Sequence, residues 1–272
     1  MFRYCLEFLL VLLLLPCCLE LYPQAAPAVG YFEVKGSLIG TKGKELGRKK
    51  FYLFGGFSDD DAGKESLAKA KQALIDKVKA ADVTPRACYF CRINVSSDLR
   101  DWLKDWNCES PFCREITAED IARVPEFQKA YQKGLRKYPN QPAIAQKWLT
   151  TNLDPDIFRL FSNFYHQRQS LVGTVLDGIK PIQSTITDGE SVARFVDIPL
   201  KTRDTSELFL ISNVLPIEVG EKSYIWVCEV EISTDTNDPL ILRIPVNNRP
   251  VKKCEVIVKD LPVCNGSSCE QK

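Results

Sequence analysis

With 272 residues, a formal net charge of +1 and a single histidine, the chain has no charge bias to draw it to nucleic acid or to an anionic membrane surface. It also has too little imidazole to suggest His-dependent catalysis or a His-rich metal site. The length suits one large domain or two modest ones, each able to bury a core.

The opening stretch MFRYCLEFLLVLLLLPCCLELYPQAAPA pairs Arg3 with an unbroken apolar run from Phe8 to Leu19. As a helix that run spans about 18 Å, well short of the roughly 30 Å of a bilayer core. Ala26-Pro27-Ala28 supplies a small-x-small cleavage site. The pattern predicts a signal peptide over residues 1–28 and export to the periplasm, the cell surface or the medium. Cys17 or Cys18 offers a lipid anchor, although Pro16 stands where a small residue is expected. That anchor is the only membrane attachment expected, since no later segment is long and apolar enough to span.

Residues 29–57 read as strands, YFEVKGSLIG and FYLFGGF, around the basic turn TKGKELGRKK. Residues 58–180 read as helices. Ser58-Asp59-Asp60-Asp61 marks a helix start with acids in its first turn. Leu67, Ala70, Leu74, Val78 and Ala81 then recur at helical spacing. Leu99, Trp102, Leu103 and Trp106 form a second apolar stripe. Thr117-Ala118-Glu119-Asp120 predicts a third helix, broken or bent near Pro125, and Pro139 and Pro142 bracket a further start. Asp154-Pro155 opens a long helix with Ile157, Leu160, Phe161, Phe164, Leu171, Val175 and Leu176 inward, and Gly178 is its expected stop. Residues 181–272 return to strands. In SYIWVCEVEIS, Tyr224, Trp226, Cys228, Val230 and Ile232 share one face while Glu229 and Glu231 lie on the other, which predicts a half-buried strand. DPLILRIPV and KKCEVIVKDL follow after turn signals.

TITDGESVARFVDIPL (Thr185 to Leu200) resembles the T-D-G-x-G-x-A-x-F-x-x-I-P run of carboxypeptidase-regulatory-like, prealbumin-like β-sandwich domains. EVKGSLIGTKGKELGRKKFYLF (Glu33 to Phe54) is similar to the first hairpin of that family, with Gly36, Leu46 and the Phe51–Phe54 strand matching. The resemblance covers about 40 residues, and here about 130 residues separate pieces that normally lie close together. It implies an α+β chain: an antiparallel, Ig-like or prealbumin-like β-sandwich carrying a long helical, cysteine-bearing insertion. It also implies a non-catalytic module that binds or positions something, a role such folds do not define further.

Behind the expected leader stand eight cysteines: Cys88, Cys91, Cys108, Cys113, Cys228, Cys254, Cys264 and Cys269. In an exported chain an even number reads first as a disulfide framework. If ACYFCRINV is extended, Cys88 and Cys91 point to opposite sides and bond elsewhere, with Cys108 and Cys113 the nearby candidates. If the stretch is helical, both thiols share a side. A thiol-disulfide or zinc-handling site built on Cys88, Cys91, Cys108 and Cys113 then becomes the alternative. Arg92 stands where a c-type haem needs histidine. Cys228 and Cys254 both lie on inward strand faces and suggest a bond in the core. Cys264 and Cys269 bracket Asn265-Gly266-Ser267-Ser268 and suggest a small closed terminal loop.

Weaker constellations read structurally. Gly55-Gly56 and Gly63-Lys64 lack phosphate-loop spacing, and Asp59-Asp60-Asp61 lacks the calcium-loop pattern. His166 has no nucleophile elbow to serve. Lys42, Lys44, Arg48, Lys49 and Lys50 form a basic hairpin tip. Trp102, Trp106, Trp148, Phe161 and Phe164 read as core. Asn94-Val95-Ser96 and Asn265-Gly266-Ser267 are formal glycosylation sequons. The expectation is an exported, non-enzymatic binding module for an unidentified protein or envelope component, without cofactor, metal or nucleic acid. A hydrolase or carbohydrate-active enzyme with unidentified carboxylates is the third reading.

Overall fold

A computed structural model describes residues 28–37, 46–91, 95–104, 115–188, 191–200, 206–219, 221–232, 240–245, 253–265 and 268–270. The expected leader, the Cys17 or Cys18 anchor, Trp106, Cys108, Cys113 and both sequon asparagine-to-serine stretches lie wholly or partly outside them. No helix among the described residues is long and apolar enough to cross a membrane.

The fold is mixed α+β. Strands β1 (Ala28–Ser37) and β2 (Lys50–Ser58) come first. Among the described residues seven α-helices follow: α1 (Asp61–Ala80), α2 (Arg86–Cys91), α3 (Ser97–Lys104), α4 (Ala118–Arg123), α5 (Pro125–Lys137), α6 (Pro142–Lys147) and α7 (Pro155–Leu176). The chain then forms β3 (Gln183–Ile186), β4 (Val192–Leu200), β5 (Glu207–Ser212), β6 (Ile217–Val219), β7 (Lys222–Ile232), β8 (Leu240–Pro245), β9 (Cys254–Asp260), β10 (Val263–Asn265) and β11 (Ser268–Glu270).

Local chemistry explains the helix limits. Asp60 caps α1 by accepting from the Gly63 N–H at 2.6 Å, and that bond holds its carboxyl below the ordinary carboxylate range. Thr117 and Asp120 form a reciprocal capping box at α4. Pro125, Pro142 and Pro155 each occupy a first-turn position, where a missing N–H costs nothing. Gly178 follows α7 at φ +71°, a conformation open to glycine.

A six-stranded antiparallel sheet forms the centre. β2 lies between β3 and β5, and β5 pairs with β7. β6 joins β7 on the same edge as β5, beyond a jog at residues 213–216, and β9 lines the opposite edge of β7. Buried Asn213 replaces the missing ladder at the jog. Its amide donates to the Leu215 and Tyr224 carbonyls, and its oxygen accepts from the Trp226 N–H at 2.8 Å. A second sheet has the order β4-β1-β8, antiparallel between β1 and β4 and parallel between β1 and β8.

Among the described residues three apolar clusters hold these layers. Phe51 and Leu53 of β2, Phe209 and Ile211 of β5, and Tyr224, Trp226 and Cys228 of β7 meet Ala193, Phe195, Ile198 and Leu200 of β4. The two sheets therefore enclose one core. The opposite face of the large sheet, including Tyr52, Phe54, Leu210, Ile225 and Val227, packs on Leu67, Leu74, Ile75 and Val78 of α1 and Val175 of α7. The third cluster lies within the helices, where Phe90, Trp102, Phe127, Phe161 and Phe164 meet. Helix α7 runs about 33 Å, so its first half serves the helical core and its second half the sheet.

This corrects the reading of β7 as half-buried. Ile225 and Val227 are 3% and 0% exposed because helices cover the face that Glu229 and Glu231 suggested was solvated. Lys71 of α1 reaches Glu229 at 2.6 Å, so that glutamate is partnered beneath a helix. Val78 is 2% exposed within the helix–sheet cluster. Val78→Ala is expected to lower unfolding stability by about 2 kcal/mol through lost burial and a residual cavity. Urea melts that show no shift would place α1 off the sheet.

The helical stretch leaves the sheet at the end of β2 and returns at β3, which pairs antiparallel with β2. The two segments resembling the sandwich family are neighbours in space as well: β1 pairs with β4, and β2 with β3.

Candidate binding groove and cysteine staples

The RACYFC stretch is helical, not extended, and forms α2. Pro85 precedes it, and the Tyr89 N–H donates to the Pro85 carbonyl at 2.9 Å. Tyr89 and Phe90 project onto Phe164, with ring centroids 4.8 and 5.2 Å away. Packing of these aromatics in the helical core outweighs the alternation that suggested a strand.

The neighbouring thiols do not form a dithiol. Cys88 is bonded to Cys269, 181 residues away, with Cα atoms 5.3 Å apart. Cys91 is 2% exposed and is disulfide-bonded as well, to a cysteine outside the described side chains. This corrects two expectations. Cys88 does not pair with Cys108 or Cys113, and Cys269 does not close a terminal loop with Cys264. Cys264 and Cys269 do face each other across the β10–β11 hairpin, but the hairpin docks on α2, which brings Cys269 to Cys88. Cys228 and Cys254 are direct cross-strand neighbours on β7 and β9 and are bonded, with Cα atoms 4.0 Å apart. Among the described residues no three His, Cys, Asp or Glu side chains converge as a metal cluster.

A second tie joins α2 to the sheet. Glu218 of β6 accepts from the Arg86 backbone N–H at 2.9 Å and from its Nε at 3.1 Å. Both side chains are nearly buried, so the pair is directional and shielded from solvent.

The other singled-out residues resolve as structural or solvated. Asp59 pairs with Lys64 at 3.0 Å and accepts from Ser206. Its carboxyl is held below the usual range, chiefly by the Lys64 bond. In the basic tip, Lys42 and Lys44 lie outside the described residues. Lys49 is buried rather than presented, and its N–H donates to Thr187 Oγ1 at 2.7 Å. Lys50 sits over the Tyr52 ring. Trp102 is fully buried against Phe127, whereas Trp148 is 48% exposed and is not core. His166 is exposed on α7 beside Tyr165.

The concave feature of greatest chemical interest lies in the helical unit, between α5, the start of α7 and the 3-10 turn Leu149–Asn152. It is an open groove of about 820 Å³. Val95, Ala130, Leu153, Ile157 and Leu160 make an aliphatic floor. Along one wall, Lys129, Lys133 and Arg136 stand at i, i+4 and i+7 on α5, a spacing that aligns them on one helix face.

The acids that line this groove are engaged elsewhere. Glu126 accepts from the Ser96 N–H at 2.7 Å and from its hydroxyl at 2.6 Å. The Ser96 oxygen in turn accepts from the Leu99 N–H, which caps α3. Asp154 caps α7 by accepting from the Asp156 N–H at 3.0 Å, and Asp156 pairs with Arg159 at 2.8 Å. Among the described residues no acid pairs with Lys129, Lys133 or Arg136. Sequence reasoning missed these three cations. The available signal was a basic i, i+4, i+7 series with a single acid, Glu126, within a helical turn; its withdrawal by Ser96 belongs to the tertiary structure.

No family model matches the chain, and no curated protein matches it in sequence. Among solved structures it is similar to the pilus backbone (RrgB) of Streptococcus pneumoniae, with 7% identity and a TM-score of 0.24. The match covers 80% of this chain and 40% of that one. A TM-score of 0.24 does not establish a shared fold.

Proposed function

We propose that the chain is an exported, disulfide-stapled, non-enzymatic interaction module of a cell envelope or extracellular space. In this reading the two strand layers form a β-sandwich of prealbumin-like or Ig-like type, and residues 58–180 are a helical insertion between its paired strands. The bond between Cys88 and Cys269 carries the proposal. It ties the helical unit to the chain's last strands, and such a staple persists in oxidising compartments outside the cytoplasm. The leader pattern of residues 1–28 points the same way. The bonded state of Cys88 and Cys91 opposes the dithiol and zinc readings, both of which need free thiolates.

The test is peptide mapping under non-reducing conditions, on protein recovered from the source cell by fractionation. The expected result is protein outside the cytoplasm, lacking residues 1–28, with Cys88 linked to Cys269 and Cys228 linked to Cys254. Protein found in the cytoplasm with reduced thiols, or zinc bound in proportion to chain, overturns the reading.

A further inference from the structure

We propose that the groove between α5 and α7 is a docking site for an acidic segment of a partner protein, one that carries carboxylates and aliphatic side chains in alternation. The proposal rests on the reading of the chain as an interaction module and names the partner chemistry.

Charge comes first. Lys129, Lys133 and Arg136 are all exposed on one face of α5. Three adjacent cations repel one another, and nothing among the described residues neutralises them. An anionic ligand would relieve that repulsion. The lining acids do not compete for it, because Ser96, the start of α7 and Arg159 already hold them.

Spacing and floor then separate a peptide from other polyanions. Lys129 to Lys133 spans about 6 Å along the helix axis, and Lys133 to Arg136 about 4.5 Å. Alternate side chains of an extended peptide lie about 6.8 Å apart on one face, so successive carboxylates can meet successive cations. The intervening side chains then face Val95, Leu153, Ile157 and Leu160, an aliphatic surface. Acidic glycans carry comparable charge, yet sugars are usually received on aromatic rings, and no aromatic residue lines the groove. The amide of Asn163, without a partner among the described residues, also lines the groove, where it can pair with a peptide backbone.

The test is fluorescence anisotropy on the mature, oxidised protein. The probe is a labelled peptide repeating Asp-Leu-Asp-Ala, and its counterpart with lysine replacing aspartate is the control. The expected result is binding of the acidic peptide alone, weakening with added salt. The triple variant Lys129→Glu, Lys133→Glu, Arg136→Glu should weaken it by about tenfold or more. An equal charge change elsewhere, Lys69→Glu, Lys180→Glu, Lys222→Glu, should leave it unaltered. Thermal melts of both variants establish that they fold. Absence of binding, or binding indifferent to the groove triple, overturns the proposal. So does a groove that takes polygalacturonate in preference to the peptide. None of these failures alters the localisation or disulfide readouts, so the module reading stands or falls separately.

Discussion

Replacing Trp226 by alanine is expected to lower unfolding stability by about 3–5 kcal/mol, the range for a large aromatic removed from a packed core. That is a sizeable share of the roughly 5–15 kcal/mol that holds a domain folded. Trp226 is fully buried at the middle of β7, the strand that pairs with β5, β6 and β9. Its ring stacks on Tyr224 at 5.6 Å with planes 7° apart and lies 6.4 Å from Phe51 on β2. The indole thus occupies the core between the two strand layers, with Phe195 of β4 in the same cluster. The backbone of Trp226 also matters, because its N–H satisfies the buried Asn213 oxygen. The substitution keeps that bond and removes only the ring, so a denaturant midpoint shift at constant slope isolates packing. A shift below about 1 kcal/mol would mean that the two sheets do not share this core.

Removing Cys88 and Cys269 together, as Cys88→Ala and Cys269→Ala, is expected to cost about 2–5 kcal/mol, near the upper end because the closed loop is long. The bonded cysteines are 181 residues apart, and the loop between them holds helices α3 to α7 and strands β3 to β10. A second readout distinguishes this from general destabilisation. The bond holds the β10–β11 hairpin against α2, so amide exchange in Arg86–Cys91 and Val263–Asn265 should rise first. The Arg86–Glu218 pair should stay in place, since it joins α2 to β6 without involving the hairpin. The Cys228–Cys254 bond also stays, and it keeps β7 and β9 joined. Uniform loosening across the chain, or none at all, would contradict a local role for the staple.

The core between the sheets and the aromatic cluster of the helices are distinct, and α7, the Arg86–Glu218 pair and the Cys88–Cys269 bond join them. The groove sits in the helical unit, away from the Trp226 core, on elements whose own cluster includes Trp102, Phe127 and Phe161. Peptide affinity should therefore survive release of the Cys88–Cys269 staple.

Much of the local structure follows from sequence alone, because its causes are local. Asp60, Thr117 with Asp120, and Asp154-Pro155 mark helix starts through short-range hydrogen bonds and fixed backbone angles. The alternation in β7 places Trp226 and Cys228 on one face because strand geometry repeats every two residues. The pairing of β2 with β3 across the helical stretch, the second buried face of β7 and the helical state of α2 depend instead on what packs where. No short window contains α1 over Ile225, or Phe164 against Tyr89 and Phe90. The partner of Cys88 was equally out of reach, since bonding needs proximity and proximity came from a hairpin 181 residues away. The groove shows the same division: the sequence by itself determined the basic series on α5, while only the tertiary structure decided that Ser96 would take Glu126 and leave three cations facing an aliphatic floor.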